Sequence, residues 1–284
     1  MKTVVITGAS TGIGRAATER LSIMGWRVFA GVRSDKDAEE LSRLKGDVRP
    51  IKLDVTDAGQ IAAAVETVSE ALKGTRLAGI VNNAGVAMMG PLAEQSMEDF
   101  KAHFAVNVFG ALETTRAFIP LLGSDPDRVG APGRIINITS VGGRVAAPFL
   151  GAYTATKHAM ESVTDSLRRE LVVYGIDSIA IGPGSVRTPI WDKAEEKNEG
   201  GPYSDTAWAH SIQTFADTML KGGRDGFPPE KIAEVIETAL SDDKPKARYA
   251  PVPDKLTNWI LPNLLPKRIV DRVFWKKFEI KKPG

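Results

Sequence analysis

Three polar side chains, Ser140, Tyr153 and Lys157, have the types and the spacing that proton transfer requires. Tyr153 and Lys157 are four residues apart, so in a helix they share one face. The lysine ammonium beside the phenol favours the phenolate, and the spacing therefore predicts a lowered tyrosine pKa. A tyrosine tuned in this way acts as a general acid or base near neutral pH. The same pair also occurs on solvated helix faces, so alone it defines no site.

A glycine-rich turn follows the first apolar segment of the chain. Residues 4–6 predict a buried strand, and T-G-A-S-T-G-I-G at residues 7–14 leads into an amphipathic helix through Leu21. Such glycines let the backbone approach a pyrophosphate, whose charge the helix N-terminus faces. The spacing is G-x-x-x-G-x-G and differs from the general G-x-G-x-x-G pattern. The candidate cofactor contacts in this turn are Gly8, Ser10, Thr11, Gly12, Ile13 and Gly14.

Two further motifs complete a recognisable order. V-N-N-A-G at residues 81–85 follows a fourth apolar strand, and Asn107 lies in a long helical stretch. With the glycine turn, Ser140 and Y-x-x-x-K, they form a series that resembles the short-chain dehydrogenase/reductase family. The segment from Ser140 to Phe149, followed by Tyr153, resembles the branch of that family that acts on steroids, retinoids and related lipophilic carbonyls.

The resemblance implies an oxidoreductase that moves a hydride between a nicotinamide dinucleotide and a carbonyl or secondary alcohol. In reduction Tyr153 would donate its proton, and Ser140 would hold the substrate oxygen as negative charge develops there. Lys157 would bind the nicotinamide ribose and hold down the tyrosine pKa. Asn107 would anchor a water that links Lys157 to solvent, although a helical asparagine can instead satisfy a neighbouring carbonyl.

The family also implies further cofactor contacts. Asp54 and Val55 resemble its adenine-binding pair, although Asp54 could instead cap the next helix. Asn82 is expected to tie strands together. The residues that would pack beside the nucleoside are Asn83, Ala84 and Gly85. The P-G-x-x-x-T segment resembles the part that contacts the nicotinamide end, with candidate residues Pro183, Gly184, Val186 and Thr188.

The end of the second strand bears on the choice of cofactor. An NAD site places an acid there for the ribose 2′-OH, whereas a 2′-phosphate favours a cation. Val32 is apolar, and no acid comes before Asp35. Arg33 can pair with a phosphate and stack on adenine, with Ser34 as a second contact. The sequence therefore predicts NADP, with NADPH preferred over NADH. The alternative is a solvated Arg33, and Thr11 is neutral where some NADP enzymes carry a second basic residue.

Composition agrees with one folded domain. The chain has 284 residues, of which 43% are hydrophobic, and a net charge of +2 that gives no global attraction to nucleic acid. The absence of cysteine excludes disulfides and thiol catalysis. His103, His158 and His210 lack ligand-like spacing, so no metal site is predicted.

Because the first strand begins at Lys2 and no apolar run is long enough to span a bilayer, the expected location is the cytoplasm.

Apolar β-rich segments alternate with helical patterns, which predicts a parallel sheet. We expect a single α/β domain, a doubly wound Rossmann-type fold with about seven parallel strands and helices on both faces. Strands are predicted at residues 3–6, 27–32, 48–53, 78–81, 134–138, 178–181 and 248–252. The catalytic domain would span residues 1–252 with a substrate-covering insertion at 190–228, and residues 253–284 would form a basic amphipathic extension.

The substrate segments are mostly apolar. Residues 142–149 and 183–191, with Tyr203, Trp208 and Phe215, favour a bulky lipophilic ketone or alcohol. These aromatic side chains could equally form the core of a covering helix.

The C-terminal segment leaves its partner open. Residues 259–284 contain seven basic and two acidic side chains interleaved with apolar ones, a composition that can bind an anionic membrane surface. Pro262 and Pro266 allow only short helices, so we expect packing over the substrate cleft or a subunit interface instead. The family implies a homodimer or homotetramer. Two other functions stay open, namely a non-catalytic dinucleotide-binding sensor or scaffold and a peripheral membrane protein.

Overall fold

One sheet of seven parallel strands forms the frame of the molecule, with the strand order β3-β2-β1-β4-β5-β6-β7. The structure, a computed structural model, describes residues 1–188 and 203–281. The chain winds from β1 outward to β3 and then from β4 outward to β7, so the carboxyl ends of β1 and β4 flank a crevice. The strands are β1 (Thr3–Ile6), β2 (Arg27–Val32), β3 (Asp47–Lys52), β4 (Gly79–Asn82), β5 (Arg134–Ile138), β6 (Asp177–Ile181) and β7 (Arg248–Tyr249).

Helices cover both faces of the sheet, which confirms the predicted doubly wound α/β fold. They are α1 (Gly12–Ile23), α2 (Asp35–Ser42), α3 (Ala58–Leu72), α4 (Met97–Phe104), α5 (Ala111–Ile119), α6 (Gly151–Glu170), α7 (Ala209–Arg224), α8 (Pro229–Ser241), α9 (Leu261–Leu264) and α10 (Lys267–Lys277). Segments Ala105–Gly110, Pro120–Ser124 and Leu256–Ile260 are π-helical, and Val141–Gly143 and Leu171–Tyr174 are 3-10 turns. Within residues 1–188 and 203–281, no helix is long and apolar enough to cross a membrane.

Successive strand residues enter two separate hydrophobic cores. Val4 and Ile6 of β1 lie in the core covered by α1, α2 and α8, whereas Val5 lies in the core covered by α3 and α5. Ile136 and Ile135 of β5 divide in the same way. Because strand side chains alternate between faces, burial of both faces requires unbroken apolar runs of this kind.

Strand bounds agree closely with the sequence. Residues 3–6, 27–32 and 134–138 have the predicted limits, and β3 and β6 begin one residue earlier than expected. The last strand is shorter than residues 248–252, because Pro251 has no N–H to continue the ladder.

The C-terminal segment packs through its aromatic side chains. The Phe278 ring lies 4.9 Å from that of Phe215 in α7 and 5.9 Å from that of Phe274, measured between centroids. Phe215 in turn contacts Phe149, at 5.7 Å. Other apolar side chains of the segment are exposed in this chain, namely Leu261, Leu264, Leu265 and Trp275.

Candidate active site

Ser140, Tyr153 and Lys157 meet at the carboxyl end of β5. Ser140 begins the 3-10 turn after β5, and its Oγ accepts a hydrogen bond from the Gly142 N–H at 3.0 Å. Tyr153 and Lys157 lie in the first two turns of α6. Lys157 Nζ is 5.5 Å from the centroid of the Tyr153 ring and donates to the Ile138 carbonyl at 2.9 Å. The Ser140 hydroxyl and the Tyr153 ring both lie beside Gly142, where an added Cβ would be 3.4 Å from Ser140 Oγ and 3.7 Å from Tyr153 Cε1. The three groups can therefore act on one substrate oxygen.

Burial sets the pKa values of both ionisable groups. It raises the pKa of the Tyr153 phenol, and the nearby Ser140 side chain opposes this rise without cancelling it. It also lowers the pKa of Lys157 to about 8, against the opposing effect of the Glu161 carboxylate. The expected lowering of the tyrosine pKa is thus wrong for this structure, because loss of water disfavours the charged phenolate more than the neighbouring groups favour it. Near neutral pH the phenol holds its proton and Lys157 is largely charged.

Asn107 lies in the π-helical segment Ala105–Gly110 and is buried. Its Oδ1 accepts from the Val86 N–H at 2.8 Å, and its Nδ2 donates to the Val86 carbonyl at 2.9 Å and to Thr156 Oγ1 at 3.0 Å. A Cβ built on Gly85 would lie 3.2 Å from Asn107 Oδ1 and 3.8 Å from Lys157 Nζ. The side chain therefore holds the N-N-A-G segment beside the lysine, which is the local role left open by the sequence.

The glycine turn at the end of β1 is in close contact with the N-N-A-G segment. Gly8 has a φ of +62°, and a Cβ there would lie 2.8 Å from the Ala84 Cα. A Cβ on Gly14 would lie 2.3 Å from the Gly8 carbonyl oxygen. Only glycine fits these two positions without movement of the backbone. Gly12 begins α1, and Ser10, Thr11 and Ile13 lie in the same turn.

Hydrogen bonds join the two segments. Thr7 Oγ1 accepts from the N–H groups of Asn83 and Ala84, both at 3.0 Å. Asn83 Nδ2 donates to the carbonyls of Thr7 and Gly8 at 3.0 and 2.9 Å. Asn82 instead donates to Thr115 Oγ1 and to Asn137 Oδ1 at 2.7 and 2.8 Å, and so links β4 to β5 as predicted.

The helix that follows the glycine turn has no side-chain cap. Thr11 occupies the N-cap position of α1 without a side-chain hydrogen bond. By contrast, Ser34, Asp57 and Ser96 cap α2, α3 and α4. An uncapped N-terminus leaves N–H donors for an anion. Together with the close backbone of Gly8, this fits a pyrophosphate.

The end of β2 presents a cation. Arg33 is exposed and forms no ion pair with any residue in the described ranges. Ser34 Oγ accepts from the Asp37 N–H at 3.1 Å, and Asp35 is 3.2 Å from Lys52 Nζ. The Arg33 guanidinium is therefore available to a ligand, whereas the Ser34 hydroxyl already stabilises α2.

Asp54 and Val55 follow β3 and have different contacts. Asp54 Oδ1 accepts from the N–H and the hydroxyl of Thr56 at 2.9 and 2.7 Å. The cap of α3 is Asp57, so the capping alternative for Asp54 is wrong. Val55 is buried, and a Cβ on Gly110 would lie 2.6 Å from its carbonyl oxygen. This contact joins the turn after β3 to the π-helical segment Ala105–Gly110.

The P-G-x-x-x-T segment follows β6 and touches the serine turn. The Pro183 carbonyl accepts from the Val141 N–H at 3.0 Å, and the Gly184 N–H donates to the Pro251 carbonyl at 3.1 Å. Val186 is buried and bridges to Phe227. Thr188 is the last described residue of this segment. Residues 189–202, which include Trp191, lie outside the described residues.

Tyr153 packs against a cluster of mostly aromatic side chains. Met89, Phe149 and Phe215 are buried in it. Tyr203 and Trp208 also pack there, and a Cβ on Gly90 would lie 2.7 Å from the Tyr203 hydroxyl. The cluster therefore combines the side chains that we expected to select the substrate with tail side chains. Those tail side chains are Phe274, Phe278 and Ile280.

Three functional candidates were missed from the sequence. Thr7 holds the N-N-A-G segment, and Glu161 is a buried acid one turn beyond Lys157. Its i+4 spacing from the lysine is the signal that could have revealed it. Its partner Arg248 lies in β7 and is too distant in sequence to be found by spacing. Within the described ranges, no group of three or more histidine, aspartate or glutamate side chains could hold a metal ion.

Comparison with known proteins defines the class. The family model for short chain dehydrogenase matches residues 2–199. The chain therefore belongs to the short-chain dehydrogenase/reductase family, whose members here are oxidoreductases that bind a nicotinamide dinucleotide.

Individual relatives span nearly the whole chain. NADPH-dependent 3-dehydrocapnine reductase from Ornithobacterium rhinotracheale is 35% identical over 277 residues, which cover 97% of each chain. Retinol dehydrogenase 5 from Mus musculus is 33% identical over 282 residues, which cover 95% of this chain and 86% of that protein. A short-chain dehydrogenase from Streptomyces avermitilis, of known crystal structure, is 26% identical with a TM-score of 0.75, and the match covers 98% of this chain and 97% of that one.

Proposed function

We propose that this protein reduces the carbonyl of a lipophilic substrate with NADPH, and that Tyr153 is the general acid. One observation carries the proposal: the Tyr153 ring lies 5.5 Å from Lys157 Nζ, measured to the ring centroid, and shares the space beside Gly142 with the Ser140 hydroxyl. These groups lie at the carboxyl ends of the strands, where doubly wound folds bind their ligands.

Each side chain has a defined task in this proposal. Because burial raises the pKa of Tyr153, the phenol keeps a proton that it can donate to the substrate oxygen. Ser140 donates a hydrogen bond to the same oxygen as negative charge develops. Lys157, charged below its pKa of about 8, supports that charge and binds the nicotinamide ribose. When bound, the dinucleotide supplies the hydride.

The candidate residues, from the glycine turn to the P-G-x-x-x-T segment, are placed so that they could bind a dinucleotide. The uncapped N-terminus of α1 would face the pyrophosphate, and Gly8 leaves room for it. Asp54 and Val55 would contact the adenine, Asn83 to Gly85 the nucleoside, and residues 183–188 the nicotinamide end.

NADP preference rests on Arg33. Its exposed guanidinium can pair with a 2′-phosphate, and Val32 supplies no acid for a 2′-hydroxyl. The relative from Ornithobacterium rhinotracheale is named as NADPH-dependent, which supports this preference. A 3-ketoacyl-(acyl-carrier-protein) reductase from Brucella melitensis, 25% identical with a TM-score of 0.72, was crystallised with NADH, so the fold alone does not select the cofactor.

A lipophilic substrate is supported by the aromatic cluster around Tyr153. Apolar and aromatic walls with few polar groups favour a ligand of the same character. The insertion at residues 190–228 and the extension at residues 253–284 would cover this side, since Phe215 and Phe278 contact each other there. Similarity to retinol dehydrogenase 5 agrees with this substrate class.

The oligomeric state of the protein and the contacts of its C-terminal tail stay predictions. A homodimer or homotetramer is expected to form through the long helices that carry Asn107 and Tyr153. Eight apolar side chains exposed between Leu256 and Trp275, next to basic ones, keep membrane contact as the second possibility for the tail. The cytoplasmic location is also a prediction.

The proposal is tested by a panel of carbonyl compounds with NADPH and NADH. Consumption of reduced nicotinamide is followed with bulky apolar ketones and aldehydes and with short charged ones. The proposal expects turnover of the bulky apolar compounds with NADPH. If the protein binds NADPH tightly but reduces no compound of either kind, the non-catalytic sensor is the better account.

A further inference from the structure

A buried carboxylate lies one helical turn beyond the proposed catalytic lysine. Glu161 follows Lys157 by four residues in α6, and its side chain is 8% exposed. Thr139 Oγ1 donates to Glu161 Oε1 at 2.6 Å, and Arg248 Nε donates to Oε2 at 2.8 Å. Arg144 Nε lies 3.4 Å from the same Oε2. A carboxylate removed from water needs partners of this kind, and here it has three.

The same cluster touches the backbone that carries the reactive groups. Arg248 Nη2 is 3.5 Å from the Ser140 carbonyl oxygen, and Thr139 directly precedes Ser140. Lys157 Nζ is bonded to the Ile138 carbonyl at 2.9 Å. Residues 138–140 are thus contacted by Lys157, by Glu161 through the Thr139 hydroxyl, and by Arg248. A shift of the Glu161 carboxylate would disturb the contacts with Thr139 and Arg248.

Arg248 also contacts the C-terminal segment. Its guanidinium carbon lies 4.2 Å from the centroid of the Trp259 ring, which is a cation–π contact. The Arg248 side chain is 17% exposed, its partner Glu161 is buried, and its partner Trp259 is partly exposed. One arginine therefore connects the tail with the carboxylate behind Lys157.

We infer that Glu161 is a positioning residue for Lys157 and Ser140, and that Arg248 couples it to the docking of Trp259. The inference rests on the proposed roles of Tyr153 and Lys157 and adds a second layer to them. The tail then contributes to catalysis by holding the active centre, in addition to covering the substrate.

Electrostatics supports the geometry. On α6, Tyr153 and Glu161 are the ionisable groups one turn on either side of Lys157, while Arg144 and Arg248 face Glu161 from the loop after β5 and from β7. Burial lowers the pKa of Lys157 to about 8, and Glu161 opposes this effect. Removing the carboxylate charge should therefore lower the pKa of Lys157 further and leave both arginines without this partner.

The test is the pH profile of kcat/KM for carbonyl reduction by Glu161→Gln, which keeps the shape of the side chain and removes its charge. Charged Lys157 is the active form, so activity is lost as the pH rises through the lysine pKa. In Glu161→Gln this loss should begin at lower pH, and kcat/KM at neutral pH should fall about tenfold, less than the roughly 10²-fold cost of a 1 Å misplacement. Glu170→Gln, an exposed acid of the same helix, is the matched control and should keep the wild-type profile.

The tail end of the network is tested by Trp259→Leu. In Trp259→Leu the loss of kcat/KM at high pH should also begin at lower pH, but with a smaller shift than in Glu161→Gln. The value of kcat/KM should fall about two- to threefold, as expected for the loss of one partly exposed cation–π contact. Trp275→Leu, which replaces an exposed tail residue with none of these contacts, should not shift the pH profile.

Wild-type pH profiles in both Glu161→Gln and Trp259→Leu, or a loss of activity without a shift of the alkaline limb, would overturn the inference. If Glu161→Gln does not fold, Trp259→Leu and Arg248→Lys decide the question with the same measurement. Tyr153→Phe separates the two levels of the account. Retained activity in Tyr153→Phe refutes the proposed function, whereas an inactive Tyr153→Phe beside an unaltered Glu161→Gln refutes this inference alone.

Discussion

The two sides of the site are held by different kinds of contact. On the proposed cofactor side, backbone approaches backbone closely: a Cβ on Gly8 would lie 2.8 Å from the Ala84 Cα, and a Cβ on Gly14 would meet the Gly8 carbonyl oxygen. On the catalytic side, side chains distant in sequence meet, as in the pair formed by Glu161 and Arg248. The cofactor side should therefore be sensitive to changes of backbone space, and the catalytic side to changes of side-chain chemistry.

The largest effect is expected at Tyr153. Tyr153→Phe keeps the ring and removes the transferable proton, so turnover should fall by at least the roughly 10²–10⁴-fold typical of general acid–base catalysis. Steady-state kcat with NADPH and a ketone substrate measures this loss. Tyr174→Phe, at an exposed tyrosine, is the control and should retain activity. Activity of Tyr153→Phe within a few-fold of wild type would remove the proposed acid.

The next effect concerns the side-chain packing of the catalytic side. Phe278 is 1% exposed and contacts Phe215, so Phe278→Ala should lower the free energy of unfolding by about 3 kcal/mol, the lower end for a buried phenylalanine. Denaturant titration measures the change. Phe109→Ala, at a phenylalanine that is 57% exposed, should cost much less. Equal losses in the two variants would mean that the tail does not pack as part of the fold.

A smaller effect is expected from a methyl group on the cofactor side. Gly8→Ala should weaken NADPH binding by about tenfold, because the new Cβ would displace the backbone of Ala84. Gly25→Ala is the matched control, since Gly25 also has a positive φ but has no atom within 4 Å of the new Cβ. Titration of NADPH by fluorescence compares the two variants. Unchanged affinity in Gly8→Ala would contradict a backbone-built site.

The smallest effect tests cofactor choice. Arg33→Ala should weaken NADPH about fivefold and leave NADH unchanged, since it removes one exposed ion pair with the 2′-phosphate. Val32 is buried, so an acid placed there would disturb the core, and the arginine alone is the cleaner change. Arg43→Ala, at another exposed arginine, is the control. A wild-type protein with higher kcat/KM for NADH than for NADPH would contradict the predicted preference.

The comparison also explains what could be predicted from the sequence. The sheet and the glycine turn follow from local patterns, because unbroken apolar runs and closely spaced glycines are visible within a few residues. Residues Ser140, Tyr153 and Lys157 were identified in the same way, and the structure brings them together at the end of β5.

Long-range contacts and burial could not be predicted in this way. Glu161 and Arg248 are 87 residues apart, and no local pattern pairs them. The direction of the tyrosine pKa was wrong, because it depends on how far Tyr153 is removed from water, and only the packing of the aromatic cluster determines that. The sequence predicts that the tail packs on the protein, but it does not show that Phe274 packs inward whereas Trp275 is exposed.

The central claim, that the glycine turn and its neighbours bind the cofactor while Tyr153 supplies the proton, is tested most directly by titrating NADPH into Tyr153→Phe. The account predicts a Kd close to that of the wild-type protein in a variant whose turnover is lost, because the cofactor contacts of the glycine turn do not involve the phenol proton. A loss of NADPH affinity that matches the loss of turnover would contradict the division between the two sides.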